Sequence, residues 1–277
     1  MAAAIDLDLH GCITGASFRL PDRVVPPYGW VEHIAFAFWL VDVLHPRQVV
    51  ELGTAGGNSF FAFCQAAAAS EPSARLTAID TWQGDLHTGG YDNSIYEAVS
   101  RYRDATFPQT ATLLRTTFAE ARTGFAPGTV DLLHIDGLHT YEAVREDFET
   151  WRDTLSERGV VLFHDIAVRE HGFGVWRLWA ELAPRYPSFA FNHGNGLGVL
   201  AIGPAVPEAV LRLCGLPEAT ADTLRLIYHR LGRSVIDWER QLNQTQRELD
   251  GSRISRSWKI AAALSRLEDT VRGRKPG

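Results

Sequence analysis

Four residues in the middle of the chain have the types and spacing for proton and cation chemistry. Asp136 and His139 lie in Asp131-Leu-Leu-His-Ile-Asp136-Gly-Leu-His139-Thr-Tyr141, and His164 and Asp165 end the run Val160-Val-Leu-Phe-His164-Asp165. Each run is an apolar stretch ending in polar groups. Asp136 and Asp165 are 29 positions apart, which leaves room for one crossover helix between adjacent parallel strands and puts both carboxylates at the same sheet edge. Hard oxygen donors suit Mg2+, which keeps waters and leaves positions for substrate oxygens, whereas an imidazole at His164 better tolerates Mn2+ or Zn2+. His139, three residues past Asp136, can point back over the same cleft and take a proton from a substrate hydroxyl. Taken singly, each aspartate can equally cap a strand, and His134 and His164 can be satisfied core histidines. The convergence of the set beside a ligand loop favours function.

That loop is Val49-Val-Glu51-Leu-Gly53-Thr-Ala-Gly-Gly57, a glycine-rich turn after an apolar strand. Gly53, Gly56 and Gly57 let backbone N–H groups and a helix N-terminus approach a ligand closely, and Asn58 or Ser59 can cap that helix. Asp80 ends the next strand, where a carboxylate can accept hydrogen bonds from two ribose hydroxyls. The order G-x-x-G-G departs from the G-x-G-x-x-G that seats a dinucleotide pyrophosphate. Glu51 suits a cationic amino-acid head better than a phosphate. S-adenosylmethionine carries an ammonium and a sulfonium and no phosphate, so the turn fits it better than NAD.

These residues need a parallel sheet to hold them. Strands are expected at Gln48–Leu52, Leu76–Ile79, Ala111–Leu114, Val130–Ile135 and Val160–Phe163, with a closing pair at Phe189–Asn192 and Leu197–Ile202 around His193-Gly-Asn-Gly196. Helices are expected over 30–44, Ser59–Ala69, Asn93–Tyr102, Thr117–Ala121, Tyr141–Leu155 and Val175–Leu182. Near-continuous apolar strands alternating with helices indicate an α/β sheet buried on both faces. Residues 1–29 read as an irregular lead-in and 30–215 as the α/β domain. Residues 216–277 read as a helical extension whose stripe Leu224, Tyr228, Leu231, Val235, Trp238, Leu242 and Leu249 is heptad-like, a coiled-coil pattern. Gly251-Ser252 interrupts it before a basic, Trp-bearing helix.

Glu51-Leu-Gly53-Thr-Ala-Gly-Gly57 followed by Asp80 resembles the first two motifs of class I S-adenosylmethionine-dependent methyltransferases. Asp80-Thr-Trp82-Gln-Gly84-Asp85-Leu-His87, His134-Ile-Asp136-Gly-Leu-His139-Thr-Tyr141, His164-Asp165 and His193-Gly-Asn-Gly196-Leu-Gly198 resemble its metal-dependent branch, which includes macrolide-sugar O-methyltransferases and cephalosporin-hydroxylase-like proteins. The resemblance covers residues 30–203. It implies a Rossmann-like, seven-stranded, mostly parallel sheet of order 3-2-1-4-5-7-6. It also implies donor contacts at Glu51, Gly53, Thr54, Ala55, Gly57, Asn58, Ser59, Asp80, Thr81, Trp82, Phe118 and Asp136, and a Mg2+ or Mn2+ site at Asp136, His164 and Asp165. Two departures stand out: Ala55 where many such enzymes have a second glycine, and His164 where a carboxylate is common. His139 is the expected base. Asp85, His87 and Tyr91 on a glycine-rich loop, together with Tyr141, are expected to face the acceptor, a sugar, glycan or natural-product hydroxyl.

The net charge of −6 argues against nucleic acid as a partner. Residues 253–277 carry seven basic against two acidic residues, leaving −11 for the rest. Ser255-Arg-Ser-Trp258-Lys resembles a segment appended to bacterial cell-surface glycosyltransferases, and its composition suits peripheral contact with an anionic membrane surface. Cys12, Cys64 and Cys214 are odd in number and far apart, which fits a reducing cytoplasm. No basic n-region opens the chain, because Asp6 and Asp8 interrupt it. The expectation is a cytoplasmic methyltransferase, at the inner membrane face, that homo-oligomerises through its extension. The alternative is a non-catalytic or S-adenosylmethionine-sensing partner in a glycan-assembly complex.

Overall fold

The structure, a computed structural model, describes residue 9 and residues 11–272, with side chains described as far as residue 250. The Asp6–Asp8 run and the side chains of the basic segment 253–277 therefore lie outside the described residues.

Seven strands form one sheet: β1 (Gln48–Leu52), β2 (Arg75–Asp80), β3 (Ala111–Arg115), β4 (Val130–Ile135), β5 (Leu155–His164), β6 (Ser188–Phe191) and β7 (Leu197–Ala201). Their order is β3-β2-β1-β4-β5-β7-β6, with β1 to β5 parallel and β7 antiparallel to both β5 and β6. Every residue of β4 and of β7 is buried. A strand covered on both faces is mostly apolar and shows no alternation, and the two polar residues of β4, Asp131 and His134, are buried with hydrogen-bond partners. The class and order are those the resemblance implied.

The helices are α1 (Ile34–Leu44), α2 (Asn58–Ser70), α3 (Asn93–Thr106), α4 (Phe118–Arg122), α5 (Tyr141–Trp151), α6 (Val175–Leu182), α7 (Glu208–Cys214) and α8 (Glu218–Arg272). Nine of the eleven residues of α1 are buried, so it is apolar on all sides and serves as core.

Several boundaries differ from expectation. α1 starts at Ile34, and α3 runs on to Thr106. α5 stops at Trp151, and β5 starts at Leu155 instead of Val160. A buried carboxylate explains the early start: Asp131 accepts from the Ser156 hydroxyl at 2.5 Å and from the Arg47 amide at 2.7 Å, pinning the beginning of β5 beside β1 and β4. The sheet absorbs the extra length as a register shift between Val130 and Leu132. α7 has no counterpart in the sequence reading. α8 runs unbroken through Gly251-Ser252, because one interior glycine costs a helix only about 1 kcal/mol.

One compact unit extends to Val235, and the rest of α8 belongs to a second. The first half of the heptad-like stripe is spent inside the first unit, where Leu224, Tyr228 and Val235 are buried. The Tyr228 hydroxyl donates to the Cys12 carbonyl at 2.7 Å and lies 3.2 Å from the Ser17 hydroxyl. A Cβ on Gly232 would sit 2.2 Å from the Glu32 carbonyl oxygen, so α8 passes directly over that backbone. Leu242 and Leu249 are exposed.

Tyr228→Phe leaves a buried carbonyl without its donor and should cost about 1–3 kcal/mol. Leu242→Ala should change stability by less than about 0.5 kcal/mol. Denaturant titration of both variants checks the difference. Equal effects would mean that α8 does not help to hold the first unit.

Candidate functional site

The ends of β1, β2 and β4 are stitched together by backbone. The Gly53 amide donates to the Ile79 carbonyl at 2.9 Å, and the Asp136 amide to the Leu52 carbonyl at 2.8 Å. Gly53 has φ +88°, and a Cβ there would lie 2.0 Å from the Asp136 carbonyl oxygen, so only glycine fits. Asp80 fixes the turn from the neighbouring strand. One carboxylate oxygen accepts from the Thr54 and Ala55 amides, both at 2.9 Å, and the other from the Trp82 amide at 2.7 Å.

Above this turn is a cavity of about 220 Å3 lined by Gly53, Thr54, Ala55, Asp80, Thr81, Gly84, Asp85, Thr88, Tyr91, Thr117, Phe118 and the run Asp136 to His139. Its size, its backbone cradle and the Asp80 carboxylate fit a nucleoside with a short charged tail. Asp85 shapes the tip of the overlying hairpin, accepting from the amides of His87 and Thr88 at 2.8 Å.

Several expected donor contacts stand off this wall. Glu51 is fully buried and lies 2.9 Å from His134 Nδ1. The Trp30 indole N–H donates to His134 Nε2 at 3.0 Å, so the imidazole proton sits on Nδ1 and points at Glu51. Trp82 is 1% exposed and turns behind the loop, donating its indole N–H to the Ala55 carbonyl at 3.0 Å. Asn58 is turned toward the lead-in, where it accepts from the Val25 amide and donates to the carbonyls of Val25 and Pro27. Gly57 and Ser59 lie at the start of α2, with Ser59 beside the Glu51 carboxyl.

At the mouth of the cavity two strand ends meet. His139 Nε2 is 2.8 Å from Asp165 Oδ2 and 3.5 Å from Asp136 Oδ1. His164 Nδ1 lies 3.1 Å from Asp136 Oδ1 and 3.3 Å from Asp165 Oδ2, while its Nε2–H donates to the Gly194 carbonyl at 3.0 Å. One ligand atom each from Asp136, His139 and Asp165 falls within 4.8 Å of the others, the metal-capable group found among the described residues. Asp165 sits in the left-handed region at φ 63°, a strained position for a non-glycine residue. Its Oδ1 is buried without a hydrogen-bond partner among the described residues. Two carboxylates, an adjacent imidazole and that orphaned oxygen together fit a divalent cation.

The electrostatics follow from this crowding. Burial opposes ionisation of Asp136, but the His164 charge and the bonds from His139 and His164 hold its carboxyl well below the usual range. The same balance sets Asp165 at about 2. Burial opposes charge on His139, yet its bonds to the two aspartates lift it to about 9, and His164 is raised well above its ordinary value.

Sequence reading missed Phe173. Its ring stacks on His139 with centroids 4.5 Å apart and planes at 9°, and lies 4.4 Å from the His87 ring. The segment 166–174 carries no periodicity that could have pointed to it. Tyr141 is engaged elsewhere, its hydroxyl donating to Glu181 at 2.9 Å.

Without a cation the raised His139 contributes stability that is complete below pH ~6.5 and lost as pH rises through about 9. The melting temperature of chelated protein should therefore fall over that interval, and His139→Gln should flatten the fall. A wild-type profile with no decline there would contradict the ion-paired arrangement.

Residues 50–166 match the family model described as a methyltransferase domain. The chain is 48% identical over 219 residues, 79% of its length, to the uncharacterized protein y4gI of Sinorhizobium fredii (strain NBRC 101917 / NGR234), and spans 23% of that protein. A Staphylococcus aureus structure, proposed as a caffeoyl-CoA O-methyltransferase, superposes with a TM-score of 0.50 at 15% identity, covering 65% of this chain and 86% of its own. The O-methyltransferase TomG from Streptomyces achromogenes, in complex with S-adenosylmethionine, gives 0.46 at 20% identity over 65% of this chain and 82% of its own. The domain match over residues 50–166 and the strand order make this part of the chain similar to a methyltransferase domain.

Proposed function

With that similarity as premise, we propose that the chain belongs to the class I S-adenosylmethionine-dependent methyltransferases and transfers the methyl group of S-adenosylmethionine to a hydroxyl of a sugar, glycan or natural-product intermediate. Mg2+ or Mn2+ at Asp136 and Asp165 is part of the proposal. The observation that carries it is the meeting of Asp136, His139 and Asp165 where the donor cavity opens, Asp136 and His139 belonging to both.

In this reading Gly53, Thr54, Ala55, Asp80, Thr81, Phe118 and Asp136 hold the donor, and Asp85, His87 and Tyr91 face the acceptor. The acceptor oxygen attacks the methyl carbon in line with the carbon–sulfur bond. The carbon–oxygen bond forms as the carbon–sulfur pair returns to sulfur, and the hydroxyl proton passes to His139. A bound cation would lower the pKa of that hydroxyl and orient it. Vicinal hydroxyls of a sugar match a cation with two open positions. His164, tied to Gly194 through Nε2–H, aims Nδ1 at the carboxylates as a metal-ligating histidine does. His139 at about 9 is protonated at neutral pH while the carboxylates pull on it. With a cation bound, the carboxylates would pull less on His139, which would then be free to accept a proton.

Asp165→Asn and a chelator should each abolish turnover while S-adenosylmethionine still binds in calorimetry. His139→Gln should lower kcat by about 10²–10⁴-fold, and His164→Gln should lower metal affinity. Turnover indifferent to both chelator and Asp165→Asn would refute the cation.

The proposal also places the chain in the cytoplasm, with residues 253–277 touching an anionic membrane face. Among the described residues no helix is long and apolar enough to cross a membrane. The exposed Leu242 and Leu249 would pair with a second copy. Sedimentation of a Leu242→Ser, Leu249→Ser variant should show a smaller species than wild type, and an unchanged size would reject pairing through this edge.

A further inference from the structure

Across the glycine turn from the donor cavity lies a second cavity of about 300 Å3. Its walls are mainly apolar, from Val25, Pro26 and Pro27 of the lead-in and Ile95 and Ala98 of α3. Ala55 and Tyr91 line both cavities and so stand between them. The wall is held in place, because Asn58 binds the Val25 amide at 2.9 Å and the carbonyls of Val25 and Pro27 at 2.7 and 3.1 Å.

One cation, Arg23, reaches this cavity. Its guanidinium lies 5.2 Å from the ring centroids of both Phe61 and Tyr102, and Nη1 donates to the Gly56 carbonyl at 2.6 Å. No described carboxylate lies within ion-pair distance of it. A purely structural role, stapling the lead-in to the turn, accounts for Nη1 and the ring contacts. It leaves the other N–H groups of a planar fork without an acidic partner among the described residues, beside an open, mainly apolar cleft. That fork matches a carboxylate or phosphate in geometry and charge.

We propose that this cavity is a subsite for an apolar body ending in a single carboxylate or phosphate, with Arg23 receiving the anion. Resting on the methyl-transfer reading above, its occupant is the tail of the acceptor, whose hydroxyl end passes Tyr91 to reach the donor. The donor's own carboxylate is the other anion within reach. The apolar walls disfavour it, since the ammonium beside that carboxylate would be desolvated without a partner.

Fluorescence titration of the full chain with 8-anilinonaphthalene-1-sulfonate, an apolar body with one anionic group, and with neutral N-phenyl-1-naphthylamine tests the assignment. Wild type should prefer the anion by about tenfold, the effect of one charged hydrogen-bonding partner. Arg23→Gln should erase the preference while leaving the neutral probe unchanged. Ala98→Trp, which fills the cavity and keeps Arg23, should weaken both probes. Calorimetry with S-adenosylmethionine should give the same affinity for Arg23→Gln and wild type. Wild-type behaviour of both variants toward the anionic probe would overturn the site, and a tenfold loss of S-adenosylmethionine affinity in Arg23→Gln would assign the anion to the donor. These binding results stand or fall whether or not methyl transfer is ever detected.

Discussion

Two acidic side chains brought together at the tips of adjacent parallel strands dominate this molecule. Asp136 and Asp165 share His164 Nδ1, at 3.1 and 3.3 Å, and also share His139 Nε2, at 3.5 and 2.8 Å. Like charges so placed and partly desolvated cannot both ionise unless positive charge sits between them. The surrounding structure supplies it. The Gly194 carbonyl aims His164, the Gly174 amide holds the His139 carbonyl at 2.7 Å, and the Phe173 ring fixes the His139 plane. A metal ion of the kind proposed would compete with those protons for one place and would change the charge state of both imidazoles.

A second buried constraint lies one layer below. Glu51 and His134 are cross-strand partners in the β1–β4 register, and Trp30 closes a line from the lead-in to β4 to β1. Burial raises the Glu51 pKa, and the bond from His134 pulls it back. Residues ahead of α1 are thereby anchored to the sheet at the strand that carries the glycine turn. The lead-in, irregular in sequence, is in this way made part of the wall around the cavities.

The fold was legible because its signals are local and strong: apolar runs, a glycine turn, and helices of 3.6-residue period between them. Asp136 and Asp165 were legible for the same reason, as strand ends one crossover apart. What sequence does not carry is the direction a side chain takes once the chain leaves a strand. Trp82 has φ 50° and turns inward, Glu51 points into the sheet interior, and Tyr141 faces Glu181. Phe173 and Arg23 sit in segments without periodicity, so nothing marked them. The stripe on α8 illustrates a different limit. Three-four spacing is shared by a helix that pairs with another chain and one that docks on its own core. Leu224, Tyr228 and Val235 take the second course.

The hairpin over the site ties these parts together. Asp85, Thr88 and Tyr91 line the donor cavity, Tyr91 also lines the second cavity, and the His87 ring lies 5.5 Å from the ring of His139 and 4.4 Å from that of Phe173. A ligand in either cavity therefore meets the same short loop that covers His139. Covering His139 with aromatic rings lowers the local dielectric, which strengthens each charge interaction beneath them. Anything that orders this loop changes the solvent exposure of His139 and the shape of both cavities together. Coupling between ligands then needs no distant conformational change, only a shared wall whose ordering each ligand favours.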